Sequence, residues 1–217
     1  MKQLEVPADE GLDRNTAIQV IADSLDKLDK NHIEMVPWPA FNYKPMVMFA
    51  IAHNHDCLFM KFYVSENNVR AMYRNTNDPV YKDSCVEFFM AFNGEGEYYN
   101  FEFNCLGTCR AAYGSQRNNR KFLPEAVISK IKILSVVNPA SNDQTDITWQ
   151  LTLVLPIEIF CEHKLISFDK LKAKANFFKC GDDLPSPHYL SWSDIIADEP
   201  NFHLPEFFGE VRFGLTV

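Results

Sequence analysis

Glycine is scarce in this sequence: 8 of the 217 residues are glycine, whereas 18 are phenylalanine. Neither G-x-G-x-x-G nor G-x-x-x-x-G-K-[ST] occurs, so the glycine-rich loops that hold nucleotide phosphates are missing. With 47% hydrophobic and 23% charged residues, the composition is that of an ordinary globular protein. We therefore expect a core built from large, flat side chains rather than a nucleotide-binding enzyme.

Positive charge is also in short supply. Lys and Arg total 21 against 29 Asp and Glu, which gives a formal net charge of -8. Proteins that bind nucleic acid present a basic face to the phosphates, and clustered basic residues attract proteins to anionic membranes. The charge balance therefore predicts no nucleic-acid partner and no membrane partner.

Long apolar runs are absent as well. No stretch approaches the roughly 20 apolar residues that a membrane-spanning helix needs, so a soluble chain is expected. The first 10 residues lack the apolar segment of a signal peptide and become acidic. The sequence predicts a cytoplasmic protein if the chain is complete, and a secreted or periplasmic one if a signal peptide was removed.

Short runs rich in Phe, Val, Tyr and Ile dominate the chain, and turn residues separate them. One segment, residues 12–30, has apolar residues near helical spacing and predicts a short amino-terminal helix. Strands are predicted at residues 46–53, 57–65, 85–92, 98–105, 108–113, 128–137, 145–155, 173–179 and 211–217. Many strands with one helix predict an all-β fold, an antiparallel β-sandwich of the jelly-roll or immunoglobulin-like type.

No internal repeat and no linker divides the chain, so we predict a single domain over residues 1–217. Within it, residues 1–37 are predicted to form a strand and helix extension that packs on a sandwich of residues 38–217. The turn signals at residues 93–96 and at Gly107 predict an antiparallel meander of three strands.

The polar, basic stretch of residues 114–125 lies beyond this meander. It has no apolar core of its own, and we predict a loop that crosses between the sheets.

Cysteine occurs at positions 57, 85, 105, 109, 161 and 180. Several of these lie inside apolar, strand-like runs, where a buried reduced thiol is the common state. Cys105 and Cys109 flank a turn, so a disulfide across this hairpin is one alternative. Their spacing is not the C-x-x-C of zinc or redox sites. His53 and His55 lack a clear third ligand nearby, so we predict no metal site and no cofactor.

Polar side chains share one face of the predicted meander. By alternation, Glu87 lies on the same face of the sheet as Asn100 and Glu102. Carboxylates accept hydroxyl protons and amides both donate and accept, so this face suits a ligand with many hydroxyl groups. The alternative is a polar face exposed to solvent on a one-sided sheet. An unpaired buried carboxylate is costly, so we expect Glu87 to pair with Arg110 of the third strand.

Several motifs on and beyond this meander resemble family 9 carbohydrate-binding modules, which are DOMON-like β-sandwiches. Residues 81–89, YKDSCVEFF, and residues 99–104, YNFEFN, with Gly107, are similar to the family's aromatic, Asp, Val-Glu and Y-x-F-x-x-N-x-x-G pattern. Residues 189–192, YLSW, and residues 202–209, FHLPEFFG, resemble its closing Trp and H-P-x-x-F-G ending.

The resemblance implies non-catalytic binding of a mono- or oligosaccharide, in which two aromatic rings hold the terminal sugar unit of a glycan. By motif position Tyr81 and Trp192 are these rings, Glu87 is the hydroxyl-binding carboxylate and Arg110 is the family's arginine. Tyr81 stands where the family usually has Trp. The predicted sugar-binding site is completed by Asn100, Glu102 and Tyr189. The resemblance also makes structural calcium possible, although no D-x-[DN]-x-[DN]-G loop is present.

Two other functions stay open. A glycoside hydrolase would use Glu87 and Glu102 as paired carboxylates about 5 to 9.5 Å apart. A structural or interaction sandwich would keep the fold and lose the cleft. The presence of Tyr81 where the family usually has Trp supports this alternative. A cleft filled by residues 114–125 would support the structural alternative. The sugar hypothesis requires Tyr81 and Trp192 to face one another across an open crevice.

Overall fold

The computed structural model describes residues 2–92, 96–140 and 146–216. These residues form two helices, α1 (Ile18–Leu25) and α2 (Glu125–Ile128), and short 3-10 turns at Val80–Lys82, Ile157–Ile159 and Pro205–Phe207. The strands are β1 (Gln3–Val6), β2 (Asn31–His32), β3 (Met46–His53), β4 (Cys57–Glu66), β5 (Cys85–Phe92), β6 (Tyr98–Asn104), β7 (Cys109–Gln116), β8 (Asn119–Phe122), β9 (Lys132–Asn138), β10 (Ile147–Pro156), β11 (Lys172–Cys180), β12 (Tyr189–Ser191) and β13 (Gly209–Phe213). Part of the predicted turn at 93–96, residues 93–95, and the ends of two predicted strands, at Thr145 and Val217, lie outside the described residues.

The strands form two sheets. The larger has the order β1-β13-β11-β5-β6-β7-β8, with β12 paired to β11, and the smaller has the order β2-β3-β4-β10-β9. Within the described chain the strand pairs are antiparallel apart from β1 with β13. The predicted all-β sandwich is confirmed, and β5, β6 and β7 form the predicted meander.

Aromatic rings fill the space between the sheets. Phe49 of the smaller sheet stacks on Phe177 of the larger, with ring centroids 3.9 Å apart. Phe88 and Phe101 stack within the larger sheet at 4.8 Å. Because each buried aromatic side chain removes a large apolar area from water, this layer supplies much of the sandwich's stabilisation.

The outer face of the larger sheet is covered by loops rather than by solvent. Phe178 of β11 stacks on Phe202 at 4.2 Å, and both belong to a second apolar cluster outside the main core. Under this cover Glu87, Asn100 and Glu102 are between 0% and 3% exposed. The alternative of a polar face open to solvent is therefore wrong.

Three predicted segments are also wrong in part. The strand predicted at 211–217 lies at Gly209–Phe213. Residues 114–125 are not a loop, because β7 runs on to Gln116 and β8 pairs back onto it. Gly114 permits this pairing, since a Cβ there would lie 2.2 Å from the carbonyl oxygen of Asn119. The strand predicted at 128–137 begins only at Lys132, because residues 125–128 form α2.

The amino-terminal elements share the two sheets with the rest of the chain: β1 pairs with β13, and β2 pairs with β3. Helix α1 buries Ile21 and Leu25 against the smaller sheet, in an apolar cluster with Phe59 and Val154. Neither helix of the described chain has the length and apolar character needed to cross a membrane.

A buried ion pair connects the two sheets. Lys179 of β11 lies 2.9 Å from the carboxylate of Glu66 of β4, and both side chains are 0% exposed. The indole of Trp149 donates to the same carboxylate at 2.6 Å, and Lys179 donates to Nε2 of His188 at 2.8 Å. Burial lowers the pKa of His188 to about 3. A neutral imidazole can therefore accept this bond, and both charged heads keep partners inside the protein.

We expect Lys179→Met to lower the free energy of unfolding by about 3–5 kcal/mol, because it leaves the Glu66 carboxylate buried without its cation. Urea unfolding at neutral pH measures this loss. Lys174→Met, on the same strand but with an exposed side chain, is the matched control and should change stability by less than about 0.5 kcal/mol. Equal losses in the two variants would contradict the role of the pair.

Candidate functional site

A cleft of about 640 Å³ opens on the outer face of the larger sheet. Strands β5, β6 and β7 supply its floor and the β7–β8 hairpin supplies one wall. Cys180 of β11, Tyr189 of β12 and covering loops supply the remainder. The residues that line it are Phe41, Tyr81, Glu87, Glu102, Arg110, Arg117, Asn118, Arg120, Cys180, Asp182, Tyr189, Pro200, Asn201, Phe202 and His203. Five of the seven residues predicted for the sugar site are among them.

Strand register brings together the ionisable side chains on the floor of the cleft. Glu87 of β5 lies directly opposite Glu102 of β6, and Glu102 lies opposite Arg110 of β7. Directly opposed residues of antiparallel strands have Cβ atoms about 4.5–5.5 Å apart on the same face. The sequence alternation that predicted a shared face for Glu87 and Glu102 is confirmed.

Glu102 is held by two guanidinium groups and an amide. Nε of Arg110 lies 3.7 Å from one carboxylate oxygen, Oε2, and Arg120 donates to the other, Oε1, at 3.4 Å. Asn100 does not line the cleft but lies behind Glu102 and donates to Oε1 at 2.9 Å. Burial raises the pKa of Glu102, and the two arginines oppose this rise.

Two buried atoms of the ion pair between Glu102 and Arg110 have no hydrogen-bond partner among the described residues. These atoms are Oε2 of Glu102 and Nε of Arg110. Buried polar atoms are usually paired, so a ligand that supplies a donor to one and an acceptor to the other would complete the site.

Glu87 does not pair with Arg110, and that prediction is wrong. Arg110 lies across from Glu102 in the register, whereas Glu87 is one strand farther away. The Glu87 carboxyl accepts from the Cys180 thiol at 3.1 Å. Burial raises the pKa of Glu87 well above its usual value, and the neighbouring Glu102 acts in the same direction. Both effects favour the protonated, neutral form of the Glu87 carboxyl.

The predicted pair of rings is not formed. Tyr81 lines the cleft, with the Arg110 guanidinium 5.6 Å from its ring centroid. Trp192, in contrast, is 2% exposed and lies in the main core, edge-to-face with Phe177 at 5.6 Å. Alternation explains the error, since Trp192 lies two residues beyond the inward-facing Leu190 and points the same way. The prediction that the Trp192 ring contacts the sugar is therefore wrong.

Tyr189, one residue before Leu190, points outward into the cleft instead. Phe41 packs edge-to-face against it, with ring centroids 4.9 Å apart. The cleft therefore has two phenol rings in its lining, those of Tyr81 and Tyr189, whereas the prediction paired a phenol with an indole.

Sequence reasoning missed the basic wall of the cleft. Arg117, Asn118 and Arg120 reach it because residues 114–122 form a hairpin. With Arg110, three of the chain's seven arginines line this one cleft. The signal that could have located them was Gly114, the glycine that permits close strand pairing inside a polar stretch.

Two further titratable groups of the lining were also missed as site residues. Burial raises the pKa of Asp182 to about 6. Burial, together with the nearby Arg120, lowers the pKa of His203 to about 2, so this imidazole is neutral and accepts or donates hydrogen bonds without charge. It lies 2.9 Å from the hydroxyl of Tyr98.

Calcium, which the sequence resemblance made possible, does not fit the clusters present. In the part of the chain that the structure describes, one group of three potential ligands converges, namely Cys85, Glu87 and Cys180. Calcium takes six to eight oxygen ligands, and two of these three groups are thiols. The described residues therefore bring together no set of acidic groups suited to calcium.

Comparisons with known proteins agree with this fold. The family model for Carbohydrate-binding family 9 matches residues 18–213. One similar crystal structure is that of a protein from Bacteroides uniformis that is proposed to bind carbohydrate. Its sequence is 35% identical to this chain and its TM-score is 0.88, and the alignment covers 98% of this chain and 99% of that one. No curated protein matches the chain.

Two structures of a family 9 carbohydrate-binding module from Caldicellulosiruptor kristjanssonii, one with glucose and one with cellotriose, are each 11% identical to this chain. Their TM-scores are 0.60 and 0.61, and the alignments cover 100% of this chain and 97% and 95% of theirs. At this identity the likeness shows the fold alone.

We expect Glu87→Gln to stabilise the protein at neutral pH, because an amide avoids the cost of ionising a buried carboxyl. A raised pKa means that folded Glu87 holds a proton which the unfolded chain releases, so wild-type stability falls as pH rises above 4.5 towards the folded pKa. The gain should therefore grow with pH, by up to about 1.4 kcal/mol per pH unit.

Urea unfolding with EDTA, at several pH values, measures this difference. Glu199→Gln, at an exposed position, serves as the control and should show no pH-dependent gain. A Glu87→Gln variant that is less stable than the wild type throughout the range would contradict the neutral carboxyl.

Proposed function

Because the chain belongs to carbohydrate-binding family 9, we propose that it is a non-catalytic module that holds the terminal sugar unit of a glycan in the outer-face cleft. The observation that carries this proposal is the composition of the cleft, in which flat phenol rings lie beside a carboxylate held between two guanidinium groups. The volume of about 640 Å³ falls within the range of small-molecule sites.

The polar part of recognition rests on Glu102 and Arg110. A sugar hydroxyl that donates to Oε2 of Glu102 and accepts from Nε of Arg110 would give each of these two buried atoms a hydrogen-bond partner. Leaving buried polar atoms unpaired costs free energy, so such a hydroxyl gains more here than at an exposed carboxylate. Asn100 fixes the Glu102 carboxylate from behind and contributes indirectly.

The apolar part of recognition rests on Tyr81 and Tyr189. The faces of a pyranose carry C–H groups that pack on the electron-rich face of an aromatic ring. The form of the sugar hypothesis that required Tyr81 to face Trp192 fails, because Trp192 is buried in the core. We instead assign the ring contacts to Tyr81 and Tyr189, which both line the cleft. The glucose and cellotriose bound by the Caldicellulosiruptor module make these two sugars the first ligands to test.

One observation favours a second candidate, glycoside hydrolysis: Glu87 and Glu102 lie side by side and both have raised pKa values. In a glycosidase the two carboxyl groups flank the scissile bond, whereas here both project from one floor at opposed positions of neighbouring strands. Release of the aryl alcohol from aryl glycosides, abolished by Glu87→Gln, would establish hydrolysis and contradict the non-catalytic proposal.

The structural sandwich with a lost cleft has less support. Residues 114–122 form a wall of the cleft and do not fill it. The groove predicted between Tyr81 and Trp192 is absent, but a different groove lies beside Tyr81 and Tyr189.

Titration calorimetry against glucose, cellotriose and a panel of other mono- and oligosaccharides tests the proposal. At about -0.3 kcal/mol per heavy atom, a disaccharide should bind with a Kd on the order of 10 μM. Tyr81→Ala and Tyr189→Ala should each weaken binding about five- to tenfold, since stacking on a ring contributes about 1–1.4 kcal/mol. Trp192→Phe, a change in the core, should leave the affinity unchanged. No heat from any sugar at millimolar concentration would refute the proposal.

A further inference from the structure

Glu87 has no ion-pair partner in the described chain, although its side chain is only 3% exposed. Its carboxyl oxygen Oε1 lies 3.1 Å from the thiol sulfur of Cys180 and 4.0 Å from that of Cys85. Thiols are weak hydrogen-bond donors, so they compensate the burial of a carboxyl poorly. A bound cation would stabilise the ionised carboxylate, and a sugar would not supply one.

The register of the larger sheet explains why these three groups meet. Cys180 of β11 lies directly opposite Cys85 of β5, and Glu87 follows Cys85 by two residues, which places it on the same face. The two sulfurs and one carboxylate oxygen all lie within 4.8 Å of one another. Three ligand atoms thus come from two rigid neighbouring strands.

The distances suit a tetrahedral ion. With bonds of about 2.3 Å to sulfur and about 2.0–2.2 Å to oxygen, tetrahedral Zn²⁺ separates its ligand atoms by roughly 3.5–3.8 Å. The two sulfur-to-oxygen separations of 3.1 and 4.0 Å lie on either side of this range. Side-chain shifts of less than about 1 Å would therefore complete the coordination.

We propose that Cys85, Glu87 and Cys180 form a binding site for a thiophilic divalent cation such as Zn²⁺ or Cd²⁺. Glu87 and Cys180 line the cleft, so the ion has a path from solvent and keeps a fourth position facing the cleft. On binding, the two thiols and the protonated carboxyl release their protons to solvent. A ligand set of two sulfurs and one carboxylate with an open fourth position resembles the donor sets of zinc rather than those of calcium or magnesium.

A disulfide between Cys85 and Cys180 is the competing use of the same pair. It would remove both thiols from the Glu87 carboxyl and leave that group with less compensation than before. All six cysteines are free in the structure. The position of Glu87 beside both sulfurs therefore favours a cation, and the disulfide becomes an outcome of the test.

Cadmium titration tests the proposal on protein that has been stripped with EDTA and reduced with a phosphine, with no sugar present. We expect the sulfur-to-cadmium charge-transfer absorption to saturate at one equivalent, and Zn²⁺ to reverse it by competition. Cys85→Ser/Cys180→Ser should abolish the saturable band. Cys105→Ser/Cys109→Ser, a matched pair of buried thiols in the main core, should retain it.

Glu87→Gln keeps both thiols and provides the second test. We expect its Zn²⁺ affinity to fall about tenfold or more, because even the loss of a group that only hydrogen-bonds to a metal ligand has an effect of this size. Circular dichroism confirms that each variant is folded. A band that survives the Cys85→Ser/Cys180→Ser change, or no saturation at one equivalent, would overturn the proposal. Loss of two titratable thiols in air, without any metal effect, would assign the pair to a disulfide instead. Because sugar is absent throughout, failure here is separate from failure of sugar binding.

Discussion

The contact of Glu102 with Arg110 and Arg120 is the interaction on which the cleft depends. Glu102 is 2% exposed, and a carboxylate at such depth is tolerated only with cations beside it. The two arginines come from neighbouring strands, and Arg120 is in place only because β8 returns along β7. That return in turn requires a glycine at position 114. The glycine at position 114 therefore determines whether Arg120 reaches the Glu102 carboxylate.

Alternation and turn chemistry predicted much of the fold. Strands β3 and β5 have the predicted limits, because each is an apolar run bounded by turn residues, and the three-strand meander follows from short turns. The sequence predicted a strand within residues 1–37 without giving its limits, and it did not predict β8 or β12. These short strands, β1, β2, β8 and β12, have between two and four residues. Such segments carry too few residues for a period to be seen, and β8 is also polar. They are strands because a neighbour supplies hydrogen bonds, which the local sequence does not encode.

The site was predictable to the extent that it depended on the same alternation. Glu87, Glu102 and Arg110 reach one floor because they occupy register positions of adjacent strands. Trp192 was placed by its motif alone, although its spacing from Leu190 indicates the core. The pairing of Glu87 with Arg110 failed because the middle strand of the meander separates them, and the register places Arg110 opposite Glu102 instead. The cluster of Cys85, Glu87 and Cys180 was out of reach, since Cys180 is brought to β5 by long-range pairing.

We propose that ligand binding is centred on Glu102 and its two arginines. The most direct measurement is an NMR titration of isotope-labelled protein with glucose and cellotriose, which follows arginine Nε–H, tyrosine and indole signals separately. The account predicts saturable shifts at Arg110, Arg120, Tyr81 and Tyr189, and an unchanged indole signal from Trp192. Shifts confined to Trp192 or to the smaller sheet, or no shift at millimolar sugar, would contradict it.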